Sequence, residues 1–384
     1  MAGAYLSLNW PSKFSTDCTV PLERFTFVTS PNTRGTLDIL YGSLFAIFIC
    51  IWTIQHPNRG DIKWALKGSQ KKVKWMLVTL LAPEVFLAKA LADFWAAKRS
   101  VARVRTLRDK AGKLLPESKV ANWTISHAYY AEMGGFALRT STPRESGEGH
   151  KLQRLRSEDI FELRELGCIS RLPSITKDQI MDKGKGDFIV KLTAILQVFW
   201  MLIQVIVRAA RGLPISRLEV TACAFAACAS VTYVLWWNKP QAVTACTKIT
   251  IEARETWALA QFGTSWTFDK GRLPYKSIFE AFVPLSDSKA YTTEDMPISN
   301  DALPAETIAT RGLSGSITLG LALGCMLLGA IHCAAWNFYL PTRTEQLLWR
   351  CFSLPVCNSS RFFTVQNSHG SGVLGPRARD RILL

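Results

Sequence analysis

Residues 37–54 read LDILYGSLFAIFICIWTI, and this stretch decides the class of the fold. It carries one charge, Asp38 at its start, and closes on Trp52, an aromatic where a bilayer meets water. A helix crosses the hydrocarbon core with roughly 20 mostly apolar residues. Three further stretches meet that length: FIVKLTAILQVFWMLIQVIV (188–207), LEVTACAFAACASVTYVLWW (218–237) and LSGSITLGLALGCMLLGAIHCAAW (313–336). The expectation is an all-α fold, a polytopic transmembrane helical bundle with polar extramembrane loops.

The remaining chain divides around these blocks. Residues 1–36 read as an N-terminal extramembrane segment, and 37–96 as the first span plus a second or re-entrant helix. A basic polar loop follows over 97–187, then a transmembrane pair over 188–237. Residues 238–312 read as a polar extramembrane lobe, 313–340 as the last transmembrane helix and 341–384 as a polar tail. The opening MAGAYLSLNWPSKF has no positive cluster leading into an apolar core, so it does not read as a cleaved signal peptide.

Of the 384 residues 48% are hydrophobic, and mean hydropathy lies slightly above zero. Net charge is +16, and the basic residues sit beside the apolar blocks. Anionic lipid headgroups are therefore the expected partner, and no nucleic-acid reader motif accompanies the charge. The 10 cysteines form no CxxC pair and the 5 histidines are dispersed, with no HExxH and no GxSxG. Neither a metal site nor a cofactor is expected, and no nucleophilic constellation assembles from spacing. His56 and His332 fall at helix ends and read as interfacial residues.

The ambiguous stretch is WMLVTLLAPEVFLAKALADFW, 75–95. It holds Glu84, Lys89 and Asp93, each costing at least about 2.5 kcal/mol at the centre of a bilayer, and Pro83 breaks its backbone ladder. Lys89 and Asp93 stand i, i+4, the spacing of an ion pair. Basic clusters flank both sides: Arg59, Lys63, Lys67, Lys71, Lys72 and Lys74 before it, Lys98, Arg99, Arg103, Arg105, Arg108 and Lys110 after it. Two readings stay open. The stretch is a re-entrant helix with both clusters in the cytoplasm, or a fifth span that carries the second cluster across. The loop RAARGLPISR (208–217) favours the fifth span, because an odd number of crossings places it inside.

Glu84 is the single catalytic candidate, since a carboxylate at membrane depth is a functional hypothesis by default. The plain alternative pairs it with Lys89 or an arginine. On 188–207, Thr193, Gln197, Gln204, Arg208 and Arg211 fall within about 40° of one line on a helical wheel. They read as a lining for a substrate path, or as interhelical hydrogen bonds with an arginine anchor. Gly312, Ser316, Gly320 and Gly324 repeat every fourth residue, as do Ala222, Ala226 and Ser230. Such spacing lets backbones approach and predicts a tight helix pair or a face for a second copy or another membrane protein. Asn122-Trp-Thr and Asn358-Ser-Ser fit the glycosylation acceptor pattern.

Several blocks together carry a resemblance: RGTLDILYGSLFAIFICIWTIQHPN, TLLAPEVFLAKALADFW, WTISHAYYAEMGGFAL, QVFWMLIQVIVRAARGLPISRLEV, YVLWWNKPQAV and HCAAWNFYLPTRTEQLLWR. Spread in order over 34–350, they resemble a group of largely uncharacterised fungal multi-pass integral membrane proteins. The resemblance implies a membrane protein, with an association to a specialised-metabolite pathway among its implications, and carries over no activity. Similar proteins continue past the LWR block into further apolar helices, whereas this sequence turns polar, the expectation for a truncated product. The leading function is a non-catalytic anchor, scaffold or accessory factor. A lipid-directed enzyme using Glu84 and a transporter subunit are the alternatives.

Overall fold

The computed structural model describes residues 35–56, 65–108, 112–116, 120, 122–143, 150–169, 171–182, 188–241, 243, 246–249, 315–338 and 342–354. Gly312, Asn358, the bulk of 1–36 and of 238–312, and the end of the tail lie outside these residues, as does the side chain of Thr193.

The described chain is mostly helical. Helix α1 runs Thr36–Thr53, α2 Ala65–Leu81 and α3 Pro83–Val104. After α4 (Ile125–Glu132), strands β1 (Phe136–Pro143) and β2 (His150–Leu155) precede α5 (Ser157–Glu165) and α6 (Lys177–Asp182). Then come α7 (Phe188–Ala210), α8 (Arg217–Leu235), β3 (Thr247–Ile249), α9 (Gly315–Ala334) and a last helix, α10, over 343–354.

Three of the described helices are long and apolar enough to cross a membrane: α1, α8 and α9. The pair α2–α3 meets the same test only jointly, and it turns through 107° at the break. In α7 the described apolar run is Ile195–Ala210, shorter than a span. The bend follows from local chemistry. Pro83 offers no N–H and disfavours helical geometry at Ala82, which sits at φ −147°, ψ 73° and ends α2. Pro83 then serves as the first residue of α3, where its missing donor costs nothing.

The bundle has a definite sense. Gln241, just past α8, donates to the carbonyls of Thr53 and Gln55 at the end of α1, so α1 and α8 run in the same direction. On α9, Gly320 rests against Ala88 and Gly324 against Glu84, so α9 runs antiparallel to α3. Helix α7 ends at Gly212, which adopts φ +67° while the Leu213 N–H reaches back to the Arg208 carbonyl. A Ser216–Glu219 capping box then starts α8.

Two expectations need correction here. The fold is not all-α, because β2, β1 and β3 form a three-stranded sheet, with β1 antiparallel to β2 and parallel to β3. And 97–187 is no loop: it folds into a lobe around Leu107, Trp123, Tyr130, Phe136, Leu155 and Phe161, all buried. Its apolar residues are dispersed among charges, so they form a core only through pairings distant in sequence. The Met-Gly-Gly step is where this happens. Gly134 takes φ +76° and closes α4, with Gly135 N–H on the Tyr130 carbonyl, and a Cβ at Gly135 would strike the Tyr130 ring at 2.5 Å. Helix α3 reaches into this core through Val104, and Trp123 Nε1 donates to Ser100 on the same helix at 3.0 Å.

The described part of the tail is helical. Thr342 accepts the Glu345 N–H at 3.2 Å and starts a helix within the stretch expected as a polar tail.

Candidate functional site

Helical spacing brings Lys89 and Asp93 to one face of α3, and Lys89 Nζ meets the two Asp93 carboxylate oxygens at 3.0 and 3.2 Å. A second ammonium joins them. After α8 ends, the turn Trp236–Lys239 folds back on itself, with Lys239 N–H on the Trp236 carbonyl at 2.8 Å. This turn drives Lys239 Nζ to 2.9 Å from Asp93 Oδ2 and 4.2 Å above the Trp236 ring. All three charged residues are at least 94% buried.

The cluster ties together elements from across the chain. Trp236 packs edge-on to Phe86 of α3 and beside His56, which follows α1. From the lobe, Tyr129 of α4 donates to the Leu235 carbonyl at 2.8 Å and satisfies the end of α8. Gln55 reaches Thr79 of α2 at 3.2 Å. His56 is thus buried, with Nδ1 on the Ile54 carbonyl.

Electrostatics follow from burial. Desolvation pulls the Lys239 ammonium down from 10.5 to about 8, with the Asp93 carboxylate working in the other direction. Tyr129 is pushed above its ordinary range, first by burial and then by the Asp93 charge. Glu132 of α4 is raised by burial, while Arg156 beside it pulls it down. A lysine poised near neutrality is the kind used as a base or nucleophile. Here it is sealed beneath Trp236 and already committed to Asp93, so the geometry is that of a clamp.

The sequence-derived candidates fall elsewhere. Glu84 stands half-buried in the first turn of α3, beside Gly324 and Cys228, and among the described residues no cation pairs with it. Lys89, its proposed partner, holds Asp93 instead. A cavity of about 10 Å³, room for one water, lies at the break between Cys50, Ile54, Thr79, Pro83, Cys228 and Thr232.

Among the described residues the stripe on α7 is not gathered around a path. Gln204 and Arg211 are exposed and Gln197 is half-buried. Arg208 turns back to the Pro214 carbonyl, accepting a local role at the end of its own helix.

The small residues do pack, but against different neighbours. Gly320 and Gly324 admit α3, where a Cβ would come within 2.5 Å of Ala88 Cα and 2.8 Å of Glu84 Cα. Ala222 and Ala226 face the cluster shared with α1, and Ser230 is exposed, its hydroxyl on the Ala226 carbonyl. Ser316 lies half-buried near the start of α9, and Asn122 is exposed beside Trp123. Lys239 was not among the candidates. Its signal was the WWNKP turn, but its carboxylate lies 146 residues away in sequence.

Among the described residues no group of three or more His, Cys, Asp or Glu side chains is placed to hold a metal. No curated protein and no solved structure matches this chain. A family model does match, over residues 10–271, a range that includes Glu84, the Lys89–Asp93–Lys239 cluster and the whole lobe but stops before α9. The chain belongs to the DUF8562 family, a family of unknown function.

Proposed function

We propose that this chain is a multi-pass integral membrane protein that works without catalysis, as an anchor or scaffold holding its lobe at one face of a bilayer. The reading rests above all on an opposition between two surfaces. Around the bundle, Tyr41, Phe45, Phe48, Phe199, Trp200, Ile206, Leu319 and Met326 point outward. In the lobe, Leu114 is the one exposed large aliphatic residue among those described. A water-facing bundle with so much outward apolar surface would aggregate; lipid accepts it.

Helix directions support a topology. Helices α1 and α8 run toward the lobe, while α7 and α9 run away from it. A turn of 107° exceeds a right angle, so α3 heads back toward the face from which α2 entered. The basic start of α2 and the basic end of α3 then share the lobe's side, which the positive-inside tendency makes cytoplasmic. This favours the re-entrant reading of 75–95. The objection from the RAARGLPISR loop weakens, because Arg208 is held by Pro214 and Arg217 bridges Glu345 at 3.4 Å.

The sealed ion cluster supports the absence of catalysis, as both its ammoniums are held on one buried carboxylate. An enzyme reading keeps one point in its favour: Glu84 is a half-buried carboxylate beside a broken helix. Two experiments separate these. Alkaline carbonate extraction should leave the full chain in the membrane pellet; release into the supernatant overturns the membrane reading. A deletion strain is then complemented with wild type or Glu84→Ala at matched membrane levels, and lipids and metabolites are profiled. Equal restoration supports the scaffold. Accumulation of a precursor that only wild type clears supports the enzyme.

A further inference from the structure

We infer that α10, residues 343–354, is an in-plane helix that seats its outer face in the lipid leaflet opposite the lobe. This rests on the membrane reading above and adds a contact surface to it.

The helix is inverted with respect to water. Its inward side is polar. Glu345 meets Arg217 at the start of α8, and Trp349 Nε1 donates to the His332 carbonyl at 3.3 Å. Arg350 stacks 5.1 Å from the Trp336 ring, and Ser353 is buried beside Cys333. Its outward side is apolar: Leu347, Leu348, Cys351 and Phe352 stand at the i, i+1, i+4, i+5 positions of one stripe, all exposed, with Phe352 71% exposed. A helix bathed in water would place these two sides the other way round.

Position selects the occupant. The helix packs on the last turn of α9 and the first of α8, at the end of the bundle where Ile206 and Val207 of α7 are also exposed, so its stripe adds to the outward apolar surface at that end. Arg343 stands exposed at its head, within reach of a headgroup phosphate layer. Apolar side chains facing the acyl boundary with a basic residue at the polar edge are the pattern of interfacial helices.

The test uses the full chain reconstituted into vesicles of phosphatidylcholine and phosphatidylglycerol doped with a phosphatidylcholine bearing a diazirine in its acyl chain. After illumination, adducts are mapped by mass spectrometry. Trypsin isolates the stripe in two peptides, TEQLLWR (344–350) and CFSLPVCNSSR (351–361). Lipid adducts are expected on both, alongside adducts on α1 and α9. The double substitution Leu348→Glu, Phe352→Glu should abolish them on these two peptides and leave those on α9 intact. Adducts on α1 and α9 with none on α10 overturn this inference and spare the membrane reading. No adducts on α1 or α9 overturn the membrane reading itself. A bis-maleimide added to a parallel sample that joins Cys351 of two copies, with no lipid adducts on α10, assigns the face to a second copy and overturns the inference as well.

Discussion

Gly324 of α9 lies directly on the first turn of α3, where a Cβ would stand 2.8 Å from Glu84 Cα and 2.7 Å from Glu84 Cβ. Backbone, not a movable side-chain tip, fills the space that any larger residue would claim. The contact fixes how deep the broken helix sits in the bundle.

Gly324→Ala therefore forces two helices apart and should cost about 1–3 kcal/mol, the usual range for overpacking. Gly42 of α1 has nothing within 4 Å of its would-be Cβ. Gly42→Ala should be neutral or gain roughly 0.5–1 kcal/mol from a stiffer unfolded chain. The thermal midpoint in detergent, followed by size-exclusion, should fall for Gly324→Ala and hold or rise for Gly42→Ala. A shared direction contradicts the packing.

Asp93→Ala leaves two lysines buried without their carboxylate. Removing one partner of a buried ion cluster costs about 3–5 kcal/mol. The same principle says that deleting all the charges is milder, so Lys89→Met, Asp93→Leu, Lys239→Met in combination should be more stable than Asp93→Ala alone. If the triple variant is the worse of the two, the cluster contributes net attraction and the clamp is more than self-cancelling.

Lys239 sets a pH dependence whose sign can be worked out. Its folded value is about 8 against 10.5 when free. Below pH 8 both states hold the proton, and this group adds no slope. Between about 8 and 10.5 the unfolded chain holds a proton that the folded one has shed, so stability rises with pH across that window. The gap in unfolding temperature between wild type and Lys239→Met should shift in favour of wild type from pH 7.5 to 10. A gap that stays flat means Lys239 keeps an ordinary affinity for its proton.

Asn122 offers a topological readout. It is exposed, and its lobe lies on the side proposed as cytoplasmic. No glycan should form there, whereas an acceptor placed in a lengthened 211–216 loop should be modified. A glycan on Asn122 would make 75–95 a true span and reverse the assignment of faces.

The parts of this fold written in short-range spacing were legible in the sequence. Apolar length marked α1, α8 and α9. The i, i+4 step from Lys89 to Asp93 announced an ion pair that forms. Four-residue spacing of Gly320 and Gly324 announced a close helix approach, although its partner is α3 and not the neighbouring span. What spacing does not encode is what faces what. Lys239 finds Asp93 only because a turn after α8 folds toward α3, and Pro83 signals a break without signalling its angle. The lobe was hidden for a related reason: Trp123, Phe136 and Phe161 sit in polar surroundings along the chain and meet only in space. For α7, the stripe from Gln197 to Arg211 was real as a stripe, but the described neighbours pack on Met201 instead.

The parallel pairing of β1 with β3 sets an order of events during synthesis. Strand β1 ends at Pro143 and β3 begins at Thr247, so α7 and α8 leave the ribosome before the sheet can close. At ~5–20 residues per second the edge of β1 waits on the order of 5–20 s for its third strand. On the proposed topology an unfinished sheet waits in the cytosol through that interval while two apolar helices are inserted. The sheet closes only after both have been made, so under that topology a chain that misroutes α7 or α8 also carries β3 away from β1 and leaves the lobe unfinished.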